Sequence, residues 1–290
     1  MKLNQEIKKN LEETLKIKIA SFSSLSGGCI SNAYKVKTTD NRKYLLKINE
    51  SHKGDMFLKE AHGLVELNKA NAIKVPAVIL AEREFILLEF INSSGRSKSF
   101  FKEFGIKFSE MHKYNSSAFG FYEDNYIGAN PQLNIPGKGE ADSWVKFYFN
   151  KRILYQFKLA EKNGYATNEL REGISKLENK VEEILSGSEE LPSLLHGDLW
   201  SGNYMVDENG DACLIDPAVY YGHREADLGM TKLFGGFNSE FYNSYNDNFP
   251  LPDGYDYREN IYKLYHVLNH LNLFGRGYYS QAISLINYYL

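Results

Sequence analysis

The polar residues between positions 194 and 218 have a spacing suited to chemistry on a phosphate group. His196 and Asp198 flank a glycine, Asn203 follows Asp198 by five positions, and Asp216 opens an Asp-Pro-Ala turn after a short apolar run. A carboxylate can orient a hydroxyl group and accept its proton, and amide and carboxylate oxygens are ligands that magnesium prefers. A lone aspartate in such a turn would usually cap its own backbone. The combination instead predicts transfer of a phosphoryl group to a hydroxyl group.

The same spacing occurs in kinases, where the catalytic loop reads His-x-Asp-x-x-x-x-Asn and a metal-binding aspartate follows it. Applied to this chain, the pattern predicts Asp198 as the catalytic base and Asn203 and Asp216 as ligands of Mg²⁺ bound together with ATP. Catalysis of phosphoryl transfer depends mostly on positioning and on neutralising charge. Other parts of the chain must therefore hold the nucleotide.

Three segments before residue 92 have the character of a nucleotide site. Lys47 lies in an otherwise apolar strand and Glu60 on the helix that follows, so we expect Lys47 to hold the α- and β-phosphates and Glu60 to orient it. A lysine on an outward-facing strand position is the alternative. The glycine-rich turn ahead of Lys47 is by itself weak evidence for a phosphate-binding loop, because its sequence is neither G-x-G-x-x-G nor a Walker A motif. Gly27, Gly28 and Cys29 in that turn are candidate nucleotide-binding residues. The backbone of Glu89 and Ile91 is expected to bind the adenine base; the alternative is that their strand only connects two lobes.

The hydrophobic pattern predicts an α+β, protein-kinase-like fold of two lobes, with an N-terminal antiparallel sheet, one main helix, and a mostly helical C-terminal lobe. The polar segment 92–99 divides the chain into a nucleotide-binding lobe, residues 1–91, and a catalytic and substrate-binding lobe, residues 92–290. On the main helix, predicted over 55–70, Lys59 and Glu66 are expected to be solvated. Other predicted helices are 4–18, 100–114, 142–163, 168–186, 226–234, 258–273 and 278–290, and the predicted strands are 22–25, 32–38, 42–48, 78–81, 85–91, 204–206 and 212–215.

Composition excludes several classes of protein. The chain has 290 residues, 43% of them hydrophobic, and a net charge of −3, which predicts a folded protein without affinity for nucleic acid or an anionic membrane. No apolar run is long enough for a membrane span or a secretory signal, so a cytoplasmic location is expected. Two cysteines are too few for a disulfide scaffold or a zinc site. His266 and His270 lack the glutamate of a zinc protease motif and are expected to be packed or capping residues.

The catalytic stretch resembles the fructosamine kinase family, within the aminoglycoside and choline kinase superfamily. Protein kinases carry Arg or Lys after the catalytic histidine and an A-P-E sequence downstream, whereas here Gly197 follows His196 and no A-P-E occurs. The resemblance runs from about residue 20 to the C-terminus. It is carried by HGDLWSGN from His196, DPAVYYGHRE from Asp216, and the shorter sequences GGCIS, MFLKE, FGGF and LNHLNLFG.

The resemblance implies an activity. The family uses ATP and Mg²⁺ to phosphorylate the 3-hydroxyl of ketosamines, and the unstable product releases the free amine. The implied partner is a glycated amine, either a small molecule or a protein lysine, and the implied outcome is deglycation. Two alternatives remain open from the residues: a kinase for an amino-alcohol or aminoglycoside hydroxyl, and a nucleotide-binding protein without turnover. The presence of every expected catalytic group argues against the second alternative.

The resemblance also implies roles for individual residues. Trp200 would form a wall of the sugar pocket, with a buried loop anchor as the alternative, and His223 and Glu225 would contact substrate. Asp227 would brace the backbone of the catalytic loop. Cys29 matches the glycine-loop cysteine of the family, which implies a redox role and a Cys29-linked dimer of an otherwise monomeric protein under oxidation.

Overall fold

The computed structural model describes residues 5–25, 32–49 and 54–290. The predicted glycine-loop candidates Gly27, Gly28 and Cys29 lie outside the described residues. The helices are α1 Gln5–Leu15, α2 Met56–Lys69, α3 Phe100–His112, α4 Trp144–Tyr148, α5 Tyr155–Lys162, α6 Asn168–Glu178, α7 Val181–Leu185, α8 Glu225–Leu233, α9 Ser239–Asn248, α10 Tyr255–Phe274 and α11 Tyr279–Asn287, with a π-helical turn at Phe149–Leu154 and a 3₁₀ turn at Arg276–Tyr278. The strands are β1 Ile19–Leu25, β2 Asn32–Thr38, β3 Lys43–Ile48, β4 Val78–Ala81, β5 Phe85–Glu89, β6 Asn125–Ile127, β7 Asn130–Gln132, β8 Ser193–Leu195, β9 Tyr204–Val206, β10 Ala212–Leu214 and β11 Tyr220–Gly222.

The first five strands form one antiparallel sheet in the order β1-β2-β3-β5-β4. Strand β3 alternates, with Tyr44, Leu46 and Ile48 buried on one face and Lys47 on the other, as a strand with two different faces requires. By contrast, β5 is buried at four successive positions, because α1 covers one face of the sheet and α2 covers the other. Strand β3 therefore directs Lys47 toward the face on which α2 lies.

The part of the chain after the sheet is mostly helical, which confirms the predicted α+β fold with an N-terminal antiparallel sheet. Its core is rich in aromatic side chains and includes Phe104, Phe108 and Phe241, where α3 packs against α9. The same buried cluster also contains Phe57 of α2 and Ile86 of β5. The apolar core is thus continuous across residue 91, and the division of the chain into lobes at that point stays a prediction.

Several short elements were not predicted. The β8–β11 and β6–β7 pairs consist of three-residue strands, too short to show a period of two, and tertiary contacts hold them in place. The predicted 168–186 helix is interrupted at residues 179–180, and α9 is an additional helix. The β8–β11 pair matters most for the site, because it places Leu195 opposite Tyr220 and so brings the two ends of the catalytic stretch together. Among the helices that the structure describes, none has the length and apolar character needed to cross a membrane.

Candidate active site

The catalytic loop follows β8 and is bonded backbone to backbone to the turn that carries Asp216. Gly197 has φ +83°, and a Cβ atom added there would lie 2.0 Å from the carbonyl oxygen of Ala218. The Ala218 N–H donates to the His196 carbonyl at 2.8 Å. Only glycine combines this backbone conformation with such a close approach. Gly197, which stands where protein kinases carry Arg or Lys, is therefore required here for steric reasons.

The two polar residues of the loop are joined directly. The Asn203 amide donates to the Asp198 carbonyl at 2.8 Å and to the Asp198 carboxylate at 3.1 Å. Burial raises the pKa of the Asp198 carboxyl well above its usual range; the Asn203 hydrogen bond opposes this shift, and the charges of Asp216 and Asp227 add to it. A carboxylate with a raised pKa holds a proton more tightly, which suits a group that must accept one.

His196 is fully buried and links the loop to the end of the β9–β10 hairpin. Its Nδ1 accepts from the Asp198 N–H at 3.3 Å, and its Nε2 lies 3.0 Å from the carbonyl oxygen of Ile215, which assigns the Nε2–H tautomer. Burial lowers the pKa of His196, in agreement with a neutral ring. This histidine is a positioning residue, set between the loop and the residue that precedes Asp216.

Asp227, in the first turn of α8, braces the loop as the resemblance implied. One carboxylate oxygen accepts from the His196 N–H at 2.7 Å and the other from the Gly197 N–H at 2.8 Å. His112 lies 3.2 Å away, with Tyr245 on its other ring nitrogen. Burial alone would raise the pKa of Asp227, but the hydrogen bond and charge of His112 lower it below its usual range. The loop backbone is thus held by a buried, ionised carboxylate.

We expect Asp227→Asn to destabilise the protein by about 2–4 kcal/mol and to lower turnover, although Asp227 is not predicted to touch substrate. The substituted amide has only one acceptor oxygen for the two backbone N–H groups of the loop. Urea unfolding measures the stability, and kcat measures the second effect. Asp256→Asn, at an acidic position in the first turn of α10, is the control. If Asp227→Asn matched the parent in both measurements, the brace would have no role in holding the loop.

Lys47 joins the sheet, α2 and the Asp216 turn. Its ammonium lies 2.7 Å from the Glu60 carboxylate and also pairs with the Asp216 carboxylate, 169 positions away in the chain. Burial would lower the pKa of Lys47, but the charges of Asp216 and Glu60 outweigh it and the net shift is upward. The Lys47 and Glu60 side chains are 12% and 14% exposed, whereas Asp216 remains 45% exposed. Three predicted residues therefore meet at one point, with Asp216 facing outward.

The donor set fits a magnesium ion that is held partly by phosphates. Within residues 5–25, 32–49 and 54–290 there is no group of three or more His, Cys, Asp or Glu arranged to hold a metal ion. Asn203 and Asp216 offer an amide and a carboxylate oxygen on segments joined by the bond from the Ile215 N–H to the Asn203 carbonyl, at 3.0 Å. Mg²⁺ often takes only one or two protein oxygens and completes its shell with phosphates and water. These two residues match that requirement.

Part of the backbone of the predicted adenine-binding segment is already bonded within the protein. The Glu89 N–H donates to the Ala77 carbonyl at 2.8 Å, so this donor is already engaged within the protein. Ile91 is buried. The following segment is tied to the β9–β10 hairpin, since the Ser94 N–H donates to the Val206 carbonyl at 3.3 Å. The adenine role of Glu89 and Ile91 stays a prediction.

Trp200 lies two residues after Asp198 and forms part of an aromatic wall. Its ring is half-buried and meets Phe234 edge-on, with 6.0 Å between the ring centroids. The ring centroid of Phe234 in turn lies 4.8 Å from that of His270, whose Nδ1–H donates to the His266 carbonyl at 2.8 Å. Phe234 and His270 were not predicted in the site. The sequence held one signal for them, because Phe234 begins FGGF and His270 lies in LNHLNLFG, and both sequences contribute to the family resemblance.

The structure corrects the substrate roles expected of His223 and Glu225. His223 is 1% exposed, contacts the Ser188 carbonyl through Nε2, and accepts from the Glu225 N–H at 3.3 Å. The Glu225 carboxylate is fully buried and holds both Nε and Nη2 of Arg258, at 2.9 and 2.6 Å. Because both side chains are enclosed and already bonded within the protein, neither reaches the surface that a substrate could contact.

Comparisons with known proteins agree over nearly the whole chain. A family model described as fructosamine kinase matches residues 2–290. A chloroplastic protein-ribulosamine 3-kinase of Oryza sativa is 40% identical over 287 residues, covering 97% of this chain and 82% of that protein. A protein of Vibrio parahaemolyticus named a probable ketoamine kinase is 38% identical over 98% of both chains.

Two solved structures are similar in shape. A Thermobifida fusca protein assigned as a fructosamine-3-kinase superposes with a TM-score of 0.89 at 28% identity, covering 99% of both chains. An ADP-bound aminoglycoside phosphotransferase superposes with a TM-score of 0.63 at 17% identity, covering 99% of this chain and 98% of that one. The second likeness concerns the fold alone, and it agrees with the predicted protein-kinase-like architecture.

Proposed function

The chain belongs to the fructosamine kinase family, and from this premise we propose that it transfers the γ-phosphoryl group of ATP to the 3-hydroxyl of ketosamines. It is an ATP-dependent small-molecule kinase. The observation that carries the proposal is the catalytic loop, in which Asp198 is bonded to Asn203 and braced through its neighbours by Asp227. The names of the ribulosamine and ketoamine kinase relatives support a ketosamine acceptor over an amino-alcohol or aminoglycoside.

In the proposed reaction, Asp198 accepts the proton of the acceptor hydroxyl. The hydroxyl oxygen forms its bond to the γ-phosphorus as the bond from that phosphorus to the bridging oxygen breaks, and ADP leaves. Asn203 keeps the Asp198 carboxylate in place through its amide, 3.1 Å away. The raised pKa of Asp198 favours proton acceptance while the substrate oxygen develops its bond. No covalent intermediate with the protein is needed.

Lys47 is proposed to bind the α- and β-phosphates, oriented by Glu60 at 2.7 Å. Asn203 and Asp216 are proposed to hold Mg²⁺, which would neutralise charge on the phosphates when bound. Lys47 and Asp216 are already paired with each other, so the phosphate-binding cation and the metal-binding carboxylate share one location. The backbone of Glu89 and Ile91 is proposed to receive adenine, and the chain is proposed to divide into lobes at residues 91 and 92.

The acceptor is proposed to lie along Trp200. Its half-buried ring, two residues from the base, gives an apolar face to the C–H side of a sugar chain, and Phe234 supports that ring from the edge. Phosphorylation at the 3-hydroxyl makes the adduct unstable, so the free amine is released and the glycated amine is repaired. A monomeric state, a Cys29-linked dimer on oxidation and a cytoplasmic location stay predictions.

The substrate class is tested by ATP consumption. We expect turnover on lysine carrying ribulose, erythrulose or fructose, and turnover on a simple amino-alcohol lower by at least about 100-fold, because a site formed to hydrogen-bond a polyol loses those bonds when the hydroxyls are missing. Release of free lysine after phosphorylation is the second readout. Turnover on the amino-alcohol with none on any ketosamine would overturn the proposal, and so would the absence of turnover on all of them.

A further inference from the structure

Helix α2 carries Glu60 and also a line of polar residues along a different face. Asp55 at the N-cap of α2 and Lys59, His62 and Glu66 within it are spaced by four, three and four positions, which places them on one side of the helix. We name these four residues the α2 stripe. Lys59 and Glu66 were expected to be solvated, and this expectation is wrong, because the Lys59 side chain is 20% exposed and Glu66 is 6% exposed.

The first part of the stripe contacts the segment that contains β6. The Tyr126 hydroxyl donates to the Asp55 carboxylate at 2.9 Å. Glu123 receives two donors, since Lys59 Nζ lies 2.6 Å from one of its carboxylate oxygens and His62 Nδ1 lies 2.8 Å from the other. The Glu123 side chain is only 14% exposed, so these contacts are partly shielded from water.

The last part of the stripe contacts the strand that follows the Asp216 turn. The Tyr221 hydroxyl donates to the buried Glu66 carboxylate at 2.8 Å. Between the two contact regions, a Cβ atom added to Gly63 would lie 3.3 Å from Val219 and 3.4 Å from Pro217, so the helix backbone approaches that turn closely. Helix α2 is therefore attached at two points to residues more than 50 positions further along the chain.

We propose that the α2 stripe sets the position of α2 and thereby the contact of Glu60 with Lys47, with Glu123 as the positioning residue. The Lys47–Glu60 pair is largely buried, and a buried ion pair is favourable only when its geometry is well held. Apolar residues of α2 pack against β5, and the charged pairs at Glu123 add directional contacts that favour one position of the helix. This inference rests on the proposed role of Lys47 in binding nucleotide.

The test is calorimetric measurement of ATP affinity on the full chain with Mg²⁺. We expect Glu123→Ala to weaken ATP binding about five- to tenfold, because Lys59 and His62 lose their shared acceptor and part of the population loses the Lys47–Glu60 contact. Asp211→Ala is the matched control: it removes the 2.9 Å ion pair with Lys107, which also joins two elements but does not involve α2. The control should bind ATP as the parent does. Equal weakening in both variants would overturn the inference.

A double-mutant cycle separates positioning from general loss of stability. If Glu123 acts through Glu60, then Glu123→Ala should change ATP affinity less than about twofold in a Glu60→Gln background. A KM for the acceptor that stays within about twofold of the parent is expected as well, because none of the contacts described for the stripe involves Trp200 or Phe234, which line the proposed acceptor site. The same fold-loss of ATP affinity in both backgrounds would show that Glu123 does not act through Glu60 and would overturn the proposal.

Lys47→Ala distinguishes this inference from the proposed function. If Lys47→Ala leaves ATP affinity unchanged, the nucleotide role of Lys47 itself is wrong and the inference falls with it. If Lys47→Ala weakens binding while Glu123→Ala does not, the proposed function stands and only the stripe's role is wrong. Glu123→Gln gives a further check, since its amide keeps one acceptor and should restore part of the lost affinity relative to Glu123→Ala.

Discussion

Asp198→Asn is expected to bind ATP as tightly as the parent while kcat falls about 10³-fold. The two side chains have the same shape, so the contact with the Asn203 amide at 3.1 Å can be kept through the remaining carbonyl oxygen. An amide does not accept a proton at neutral pH, and the acceptor hydroxyl therefore loses its base. Calorimetry with ATP and Mg²⁺ measures binding, and ATP consumption with a ketosamine measures turnover.

The control for this substitution is Asp211→Asn, which makes the same chemical change on the β9–β10 hairpin. The one side-chain contact described for the Asp211 carboxylate is its ion pair with Lys107. The control should keep full turnover. An Asp198→Asn protein that retained more than about a tenth of the parent kcat would rule out Asp198 as the base. Loss of ATP binding in the same variant would instead show that Asp198 shapes the nucleotide site.

Gly197→Ala is expected to abolish turnover and to reduce the free energy of unfolding by about 3–5 kcal/mol. The added Cβ atom would lie 2.0 Å from the Ala218 carbonyl oxygen and 2.7 Å from its carbonyl carbon. Both contacts are with backbone, so a rotamer change cannot relieve them. Either the loop or the Asp216 turn must move, and the bond from the Ala218 N–H to the His196 carbonyl would be lost.

Gly164→Ala is the control that separates the effect of the steric clash from the effect of the left-handed backbone conformation. Gly164 has φ +75°, close to that of Gly197, but no atom lies within 4 Å of a Cβ built there. We expect this control to lose only about 1–2 kcal/mol, the cost of a left-handed L-residue, and to keep its turnover. Urea unfolding and kcat are measured on both variants. Similar losses in the two proteins would mean that the close approach of Gly197 to Ala218 has no special importance.

Local spacing in the sequence was sufficient to predict the type of reaction and part of the candidate site. Asp198 and Asn203 are five positions apart in one loop, so their contact depends on little more than the local chain path. Lys47 and Glu60 were predicted to pair, and their contact at 2.7 Å shows that they do. The resemblance implied the bracing role of Asp227, which the bonds to His196 and Gly197 confirm. The α+β architecture followed from hydrophobic periodicity in the longer elements.

Burial was the property that the sequence did not disclose. His223 and Glu225 lie only a few positions after Asp216, yet β11 and α8 carry them into the interior, where Ser188 and Arg258 bind them. The expectation for the stripe residues Lys59 and Glu66 was wrong in the same direction, because charged residues at helical spacing are typical of a solvated face, whereas these two are largely enclosed. Their partners, Glu123 and Tyr221, lie far along the chain.

The sequence by itself therefore determined the type of reaction, because a base, two metal ligands and a phosphate-binding lysine are predicted from residue type and short spacing. Only the tertiary structure decided which charged groups meet. Lys47 reaches Asp216 across 169 positions because α2 is seated against the Pro217–Val219 turn. Such a contact depends on the balance between the desolvation of each charge and the attraction between them, and that balance exists only after the distant segments have packed together.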